Sequence, residues 1–148
     1  MRKFDPSLYF ITDSTGFTEE EFLYRVDQAL QGGVTLVQLR EKDKSTREYM
    51  ELAKKVHILT KKHNVSLIID DRVDVALAID AEGVHVGASD MPVATAKTVP
   101  WAKEAYEQGA DYLGVGAIYP TTTKVKTVLT STYTLRDICN AVSIPANA

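Results

Sequence analysis

One junction recurs along this chain: a residue suited to ending a helix, a link of one or two residues, then an aliphatic or β-branched strand. It is written Gly33-Val34-Thr35-Leu36-Val37, Asn64-Val65-Ser66-Leu67-Ile68, Gly83-Val84-His85-Val86 and Gly109-Ala110-Asp111-Tyr112-Leu113-Gly114-Val115. The interval is roughly twenty to thirty residues, the length of a strand plus a helix. Leu67-Ile68-Ile69 is apolar without alternation, which predicts a strand buried on both faces and hence a parallel sheet with helices outside it. The helices carry start signals of their own. Thr18 to Glu21 and Ser45 to Glu48 are capping boxes, in which the hydroxyl and the glutamate satisfy each other's end of the first turn. Behind them, Phe22, Val26, Ala29 and Leu30, then Tyr49, Leu52, Ala53, Val56 and Leu59, fall at helical spacing. Gly32-Gly33 supplies the positive φ that ends the first helix, and His63-Asn64 ends the second.

A βα repeat fits a doubly wound sheet or a (β/α)8 barrel. After the first strand, Leu8 to Thr12, stands Asp13-Ser14-Thr15-Gly16 rather than a glycine-rich dinucleotide fingerprint. That favours the barrel. Strands are expected near Leu8, Leu36, Leu67, Val84 and Tyr112, with the start of another at Ile144. This is too few to close eight, and a closed barrel takes about 200 residues or more. The expected fold is therefore α/β, a (β/α)8 TIM barrel incomplete over this sequence, in one domain spanning residues 1–148.

With 20 acidic against 17 basic residues the net charge is −3. The chain thus offers nucleic acid no general attraction, and any anion must be held by a local basic cluster. A single cysteine, Cys139, excludes an internal disulfide and a cysteine-rich metal site. Its helical neighbours Leu135, Ile138, Ala141 and Val142 predict a packed or half-buried thiol. No secretory signal and no apolar run of membrane-spanning length is present, so a cytoplasmic location is expected.

The chemistry-bearing residues gather at the carboxyl ends of the strands, the face on which parallel α/β folds place their sites. Gln38, Arg40 and Lys42 alternate along one extended segment and so project to one side. Arginine offers phosphate a planar fork and lysine a mobile charge. The competing reading is a solvated strand end neutralised by Glu41 and Asp43. Asp70 and Asp71 end the next strand and Asp90 follows the one after. Their carboxylates suit Mg²⁺, which takes one or two from protein and leaves its other positions to water and substrate phosphate. Asp90 before Met91-Pro92, or Asp71 before Val73, could equally cap a helix. Gly114 to Lys124 reads as a strand entering a hydroxyl-rich loop. His57 and His63 lie on or after a lysine-rich helix and read as solvated, while His85 alternates with Val84 and Val86.

Taken together, Gln38-Leu39-Arg40-Glu41-Lys42, Ile69-Asp70-Asp71-Arg72-Val73-Asp74-Val75-Ala76-Leu77-Ala78, Gly83-Val84-His85-Val86-Gly87, Asp90-Met91-Pro92 and Gly109 to Gly116 with Pro120-Thr121-Thr122-Thr123-Lys124 closely resemble the thiamine phosphate synthase family, from about Leu8 to Pro145. The resemblance implies a (β/α)8 barrel that joins hydroxymethylpyrimidine pyrophosphate to a thiazole phosphate and releases pyrophosphate with help from Mg²⁺. By position it implies substrate contacts from Gln38, Arg40, Lys42, Asp70, Thr95, Thr121, Thr123 and Lys124, and Mg²⁺ ligands in Asp71 and Asp90. No catalytic side-chain nucleophile is implied, because an electron-rich aminopyrimidine can carry the positive charge left as pyrophosphate departs. The partners implied are the two small substrates, with neither nucleic acid nor membrane.

The sequence also departs from the family pattern. Asp70 stands where the family usually has Asn, and Ala88 where it usually has Gln. Met91-Pro92-Val93-Ala94 runs almost directly into Thr95-Ala96-Lys97-Thr98-Val99, where the family has a helix end and a whole strand between. Beyond Ser143 to Ala148 the family continues into two more βα units whose glycine-rich backbone grips the thiazole phosphate. Two alternatives follow. One is a thiazole tautomerase paralogue, disfavoured because Lys97 occupies the position of its catalytic histidine. The other is a truncated barrel that only binds phosphate ligands, with strand edges that leave it prone to association as a homo-oligomer.

Overall fold

The computed structural model of the chain describes residues 5–86, 98–115, 118 and 129–147. They fall into two compact units, residues 1–85 and 86–148. The first holds β1 (Tyr9–Ile11), α1 (Glu19–Gln31), β2 (Leu36–Leu39), α2 (Thr46–Lys62), β3 (Ser66–Asp70), α3 (Val73–Ile79) and β4 (Gly83–His85). Its four strands lie in the order β1-β2-β3-β4 and every neighbouring pair is parallel. Leu36 faces Ser66 and Leu39 faces Ile69 across β2 and β3, while Asp70 faces His85 across β3 and β4. The observed fold is thus α/β with a parallel sheet in sequential order.

Both expected capping boxes are formed, Thr18 with Glu21 and Ser45 with Glu48. Behind them Phe22, Val26 and Leu30 of α1 and Tyr49, Leu52, Ala53 and Val56 of α2 pack on Val37, Leu39, Leu67 and Ile69, one face of the sheet. The residues between, Leu36, Gln38, Ile68 and Asp70, are buried as well, so the central strands are enclosed on both faces as an all-parallel sheet requires.

The repeated junction proves to be one hydrogen-bonded device used four times. Gly33, Asn64, Asp80 and Gly109 all take positive φ, between 55° and 97°. The amide of each bonds the carbonyl three residues back, at Leu30, Lys61, Leu77 and Tyr106 respectively. The next amide reaches five back: Val34 to Ala29, Val65 to Thr60, Ala81 to Ala76 and Ala110 to Ala105. These paired bonds are the Schellman ending, which satisfies helix carbonyls that otherwise lack partners. The third return therefore turns at Asp80 rather than at Gly83. Gly83 serves packing instead, since a Cβ there would lie 2.8 Å from Ile68 Cδ1.

The second unit holds α4 (Val99–Glu107), β5 (Leu113–Gly114), α5 (Thr132–Ala141) and β6 (Ala146–Asn147). Thr98 and Ser131 cap the two helices through Trp101 N and Thr134 N. β5 and β6 pair in parallel, and Ala102, Ala105, Leu113, Val115, Ile138 and Val142 form a second core. α5 turns Leu135 and Ile138 inward, with Val142 just past its end, which turns Cys139 outward and leaves it exposed, against the expectation of a packed or half-buried thiol. Trp101 is likewise half exposed. Among the described residues no helix is long and apolar enough to cross a membrane.

Candidate functional site

β2 and β3 deliver the charged segments to the same end of the sheet. Gln38, on the face turned away from α1 and α2, is 2% exposed and its amide nitrogen donates to Tyr9 Oη at 2.6 Å. Two residues on, Arg40 Nε lies 3.6 Å from Asp70 Oδ2. Lys42 Nζ donates to Asp70 Oδ2 at 2.9 Å and to Asp71 Oδ2. The alternation of Gln38, Arg40 and Lys42 thus holds, while Glu41 turns to the other side. There its Oε2 accepts from Ser14 Oγ at 2.7 Å and pairs with Lys44 at 3.7 Å. The cations are neutralised across the strands by Asp70 and Asp71, and Glu41 is spent on the loop after β1.

Asp71 is held by its backbone. Its φ is 58°, its amide donates to His85 O at 2.8 Å, and the next amide, of Arg72, folds back onto Asp70 O at 2.8 Å. A non-glycine residue in this region is uncommon, asparagine and aspartate being the tolerant types. Asp71 does not cap α3. Arg72 occupies that position without a side-chain cap and forms a pair with Asp74 instead. The Asp71 carboxylate is thereby left for cations.

Electrostatics follow from this enclosure. Partial burial works against the Lys42 ammonium, but its bonds to Asp71 and Asp70 outweigh that and hold its pKa above the ordinary lysine value. Burial lowers the pKa of His85, against the pull of Asp70 and Asp71. Asp70 is 7% exposed at its side chain and meets both Arg40 and Lys42, so the extra carboxylate of this chain is compensated inside the site.

The sheet thus brings Arg40, Lys42, Asp70 and Asp71 together, while Gln38, two residues before Arg40, bonds to Tyr9. Asp90, Thr95, Thr121, Thr123 and Lys124 lie outside the described residues. Two residues that the sequence reading left as core or strand belong beside the cluster: Tyr9, through Gln38, and Tyr49, whose hydroxyl donates to Leu39 O at 2.6 Å. The available signal was the phenol itself, since a buried tyrosine hydroxyl nearly always finds a partner. The histidines need correction. His57 is 4% exposed and its Nε2 lies 3.2 Å from both carboxylate oxygens of Glu82, whose Oε2 also accepts from Leu67 N. His63 meets Asp27 Oδ1 at 3.1 Å. Both fasten helices that their lysine-rich surroundings made look solvated. At the other end of the strands an open cavity of about 470 Å³ is lined by residues such as Asp5, Thr35, His63 and Ser66, the end of such folds associated with stability rather than catalysis.

Comparison with known proteins decides the family. The thiamine monophosphate synthase family model matches residues 8–148. The chain belongs to the thiamine monophosphate synthase family. It is 50% identical over 155 residues to a thiamine-phosphate synthase of Enterococcus faecalis, covering 95% of this chain and 73% of that one. To the thiamine-phosphate synthase of Methanobrevibacter smithii it is 45% identical over 162 aligned residues, covering 100% of this chain and 77% of the relative. The 162 aligned positions exceed the 148 residues of this chain by 14, so the relative carries 14 residues there without a counterpart here. A solved thiamine phosphate pyrophosphorylase of Pyrococcus furiosus superposes with a TM-score of 0.81 at 38% identity, covering 94% of this chain and 72% of that one.

Proposed function

We propose that this chain is a thiamine phosphate synthase, a transferase that couples hydroxymethylpyrimidine pyrophosphate to a thiazole phosphate and releases pyrophosphate. The observation that carries the reading is the cluster of Arg40 and Lys42 against Asp70 and Asp71 at one end of a parallel sheet, in a chain of this family. We read residues 1–148 as one domain of the (β/α)8 barrel type. The support is the strand order β1-β2-β3-β4, which lacks the reversal that defines a doubly wound sheet.

The donor set fits Mg²⁺. Asp70 and Asp71 already hold one positive charge between them, the Lys42 ammonium, and hard carboxylate oxygens are what this cation takes. Asp71, with Asp90, would hold it, and bound there it would neutralise charge on the pyrophosphate. Lys42 then has a second partner to offer itself to, because a diphosphate competes with Asp70 and Asp71 for the same ammonium. Arg40, whose side chain is 41% exposed, would supply a fork for the leaving oxygens, and Lys124, Thr121 and Thr123 would add further donors. Gln38, oriented by Tyr9, Asp70 and Thr95 would read the pyrimidine. The positively charged methylene carbon is then attacked by the thiazole nitrogen, and the chain contributes position and exclusion of water rather than a nucleophile.

The test is direct. Purified chain given both substrates and Mg²⁺ should form thiamine phosphate and pyrophosphate in equal amounts, and chelation should abolish both. Failure to form either product with Mg²⁺ present would overturn the reading.

A further inference from the structure

We infer that Tyr49 is a positioning residue for this reaction, its hydroxyl fixing the spacing between the strand end that carries Arg40 and Lys42 and the one that carries Asp70 and Asp71. The inference rests on the function proposed above and names a residue through which the same site is held.

Tyr49 lies in the first turn of α2 and is 1% exposed. Its hydroxyl donates to Leu39 O at 2.6 Å and lies 3.3 Å from Asp70 O. These two carbonyls sit where the β2–β3 ladder stops, since the last paired residues are Leu39 and Ile69. Past that point no further residues of β2 and β3 are paired. The links of the next amides lead elsewhere, Arg40 N to Thr12 Oγ1 at 3.2 Å and Asp71 N to His85 O at 2.8 Å. Beyond the last pair, the ion pairing of Lys42 and Arg40 with Asp70 and Asp71 and the Tyr49 hydroxyl link the two ends.

These two links differ in what a substrate does to them. A diphosphate draws Lys42 and Arg40 away from the aspartates, so the ionic link weakens at the moment the site is used. The Tyr49 link joins main-chain carbonyls, is buried, and offers a phosphate nothing to compete for. A single hydroxyl proton serves the nearer carbonyl while the farther one stays within reach, so the bond tolerates small shifts of either strand. The burial that encloses it also pushes the phenol pKa up, leaving it a neutral donor.

The test compares the full chain with Tyr49→Phe, and with Val26→Ala, a core truncation in α1 remote from the strand ends. In Tyr49→Phe, amide hydrogen exchange at Arg40, Asp71 and Arg72 should accelerate about tenfold, the order expected for losing one buried hydrogen bond. Its kcat should fall by about tenfold with KM moved less than twofold, since small misplacements of reacting groups act on turnover. Val26→Ala should lower the melting temperature yet leave those three amides and kcat unchanged well below that temperature. Lys42→Ala should keep exchange at Arg40 and Asp71 near wild type, because the hydroxyl still joins the strands. Unchanged exchange or unchanged kcat in Tyr49→Phe, or rapid exchange in Lys42→Ala, would overturn the assignment. A wild-type chain without turnover would instead sink the functional reading, while exchange would still report whether Tyr49 holds the strand ends.

Discussion

Arg40 and Lys42 reach the same carboxylate but stand in different situations. Lys42 is shared between Asp70 and Asp71, whereas Arg40 touches Asp70 only at 3.6 Å. Arg40 is therefore the cation more readily given up to a leaving group. Arg40→Ala should lower turnover on the order of 10²-fold, as removal of a preorganised charge-stabilising donor does. Its melting temperature should move little, because half-exposed ion pairs contribute about 1 kcal/mol or less to stability. Steady-state kinetics beside a thermal melt separates the two. At this scale the sequence told most where periodicity fixes direction: the side shared by Gln38, Arg40 and Lys42 follows from strand geometry alone. It told least where a side chain has both an apolar body and a polar tip. His57 sits among lysines in the chain yet faces inward, because one turn of helix separates an exposed neighbour from a buried one. No local pattern announced that Glu82 would be there to meet it.

Between elements, the His57–Glu82–Leu67 link ties α2 to β3 and to the entrance of β4. Burial works to raise the Glu82 pKa, but the Leu67 amide and His57 outweigh it and hold it below the ordinary glutamate value. A depressed carboxylate contributes stability that is fully present above its unfolded pKa, near 4.5, and is lost as pH falls through the lower folded value. Urea unfolding from pH 7 to pH 3 should show that acid loss in the wild-type chain and a shallower one in Glu82→Gln. The variant should be less stable at pH 7 by ~1–2 kcal/mol. The helix endings make a second prediction. Gly33 has φ 97° and open space where a Cβ would stand, so Gly33→Ala meets backbone strain without a clash. It should lower the unfolding free energy by about 1 kcal/mol, seen as a lower urea midpoint with unchanged slope. Asp80→Gly relieves the same strain at φ 55° and should be neutral or mildly stabilising. Helices and strands were legible because caps, spacing and turn residues agree. The turn after α3 falls three residues before Gly83, because an aspartate can adopt the left-handed conformation and the glycine is needed to admit Ile68.

For the whole molecule, ligand binding and folding are one equilibrium. If pyrophosphate and Mg²⁺ occupy the Arg40–Lys42–Asp70–Asp71 cluster together, pyrophosphate at 100 times its dissociation constant should stabilise the fold by about 2.7 kcal/mol. The melting temperature should rise accordingly, and Mg²⁺ or pyrophosphate alone should raise it far less. A shift of equal size from pyrophosphate in the presence of a chelator would remove the metal from the site. The βα architecture was readable from the repeat, and the family from motifs that the repeat sets at strand ends. Which strands pair beyond a single repeat was not, since pairing is a property of the whole set of strands and no single junction encodes it. The four Schellman endings carry a consequence for how such a chain is made. None of their bonds reaches back more than five residues, so the limit of each helix is settled by residues already synthesised. A ribosome adds roughly 5–20 residues per second, which makes a βα unit of about thirty residues a matter of seconds, whereas a helix forms in ~0.1–1 μs. Each helix can therefore be bounded before the strand that follows has left the exit tunnel, and translation hands the sheet its strands one at a time, in the order in which they pair.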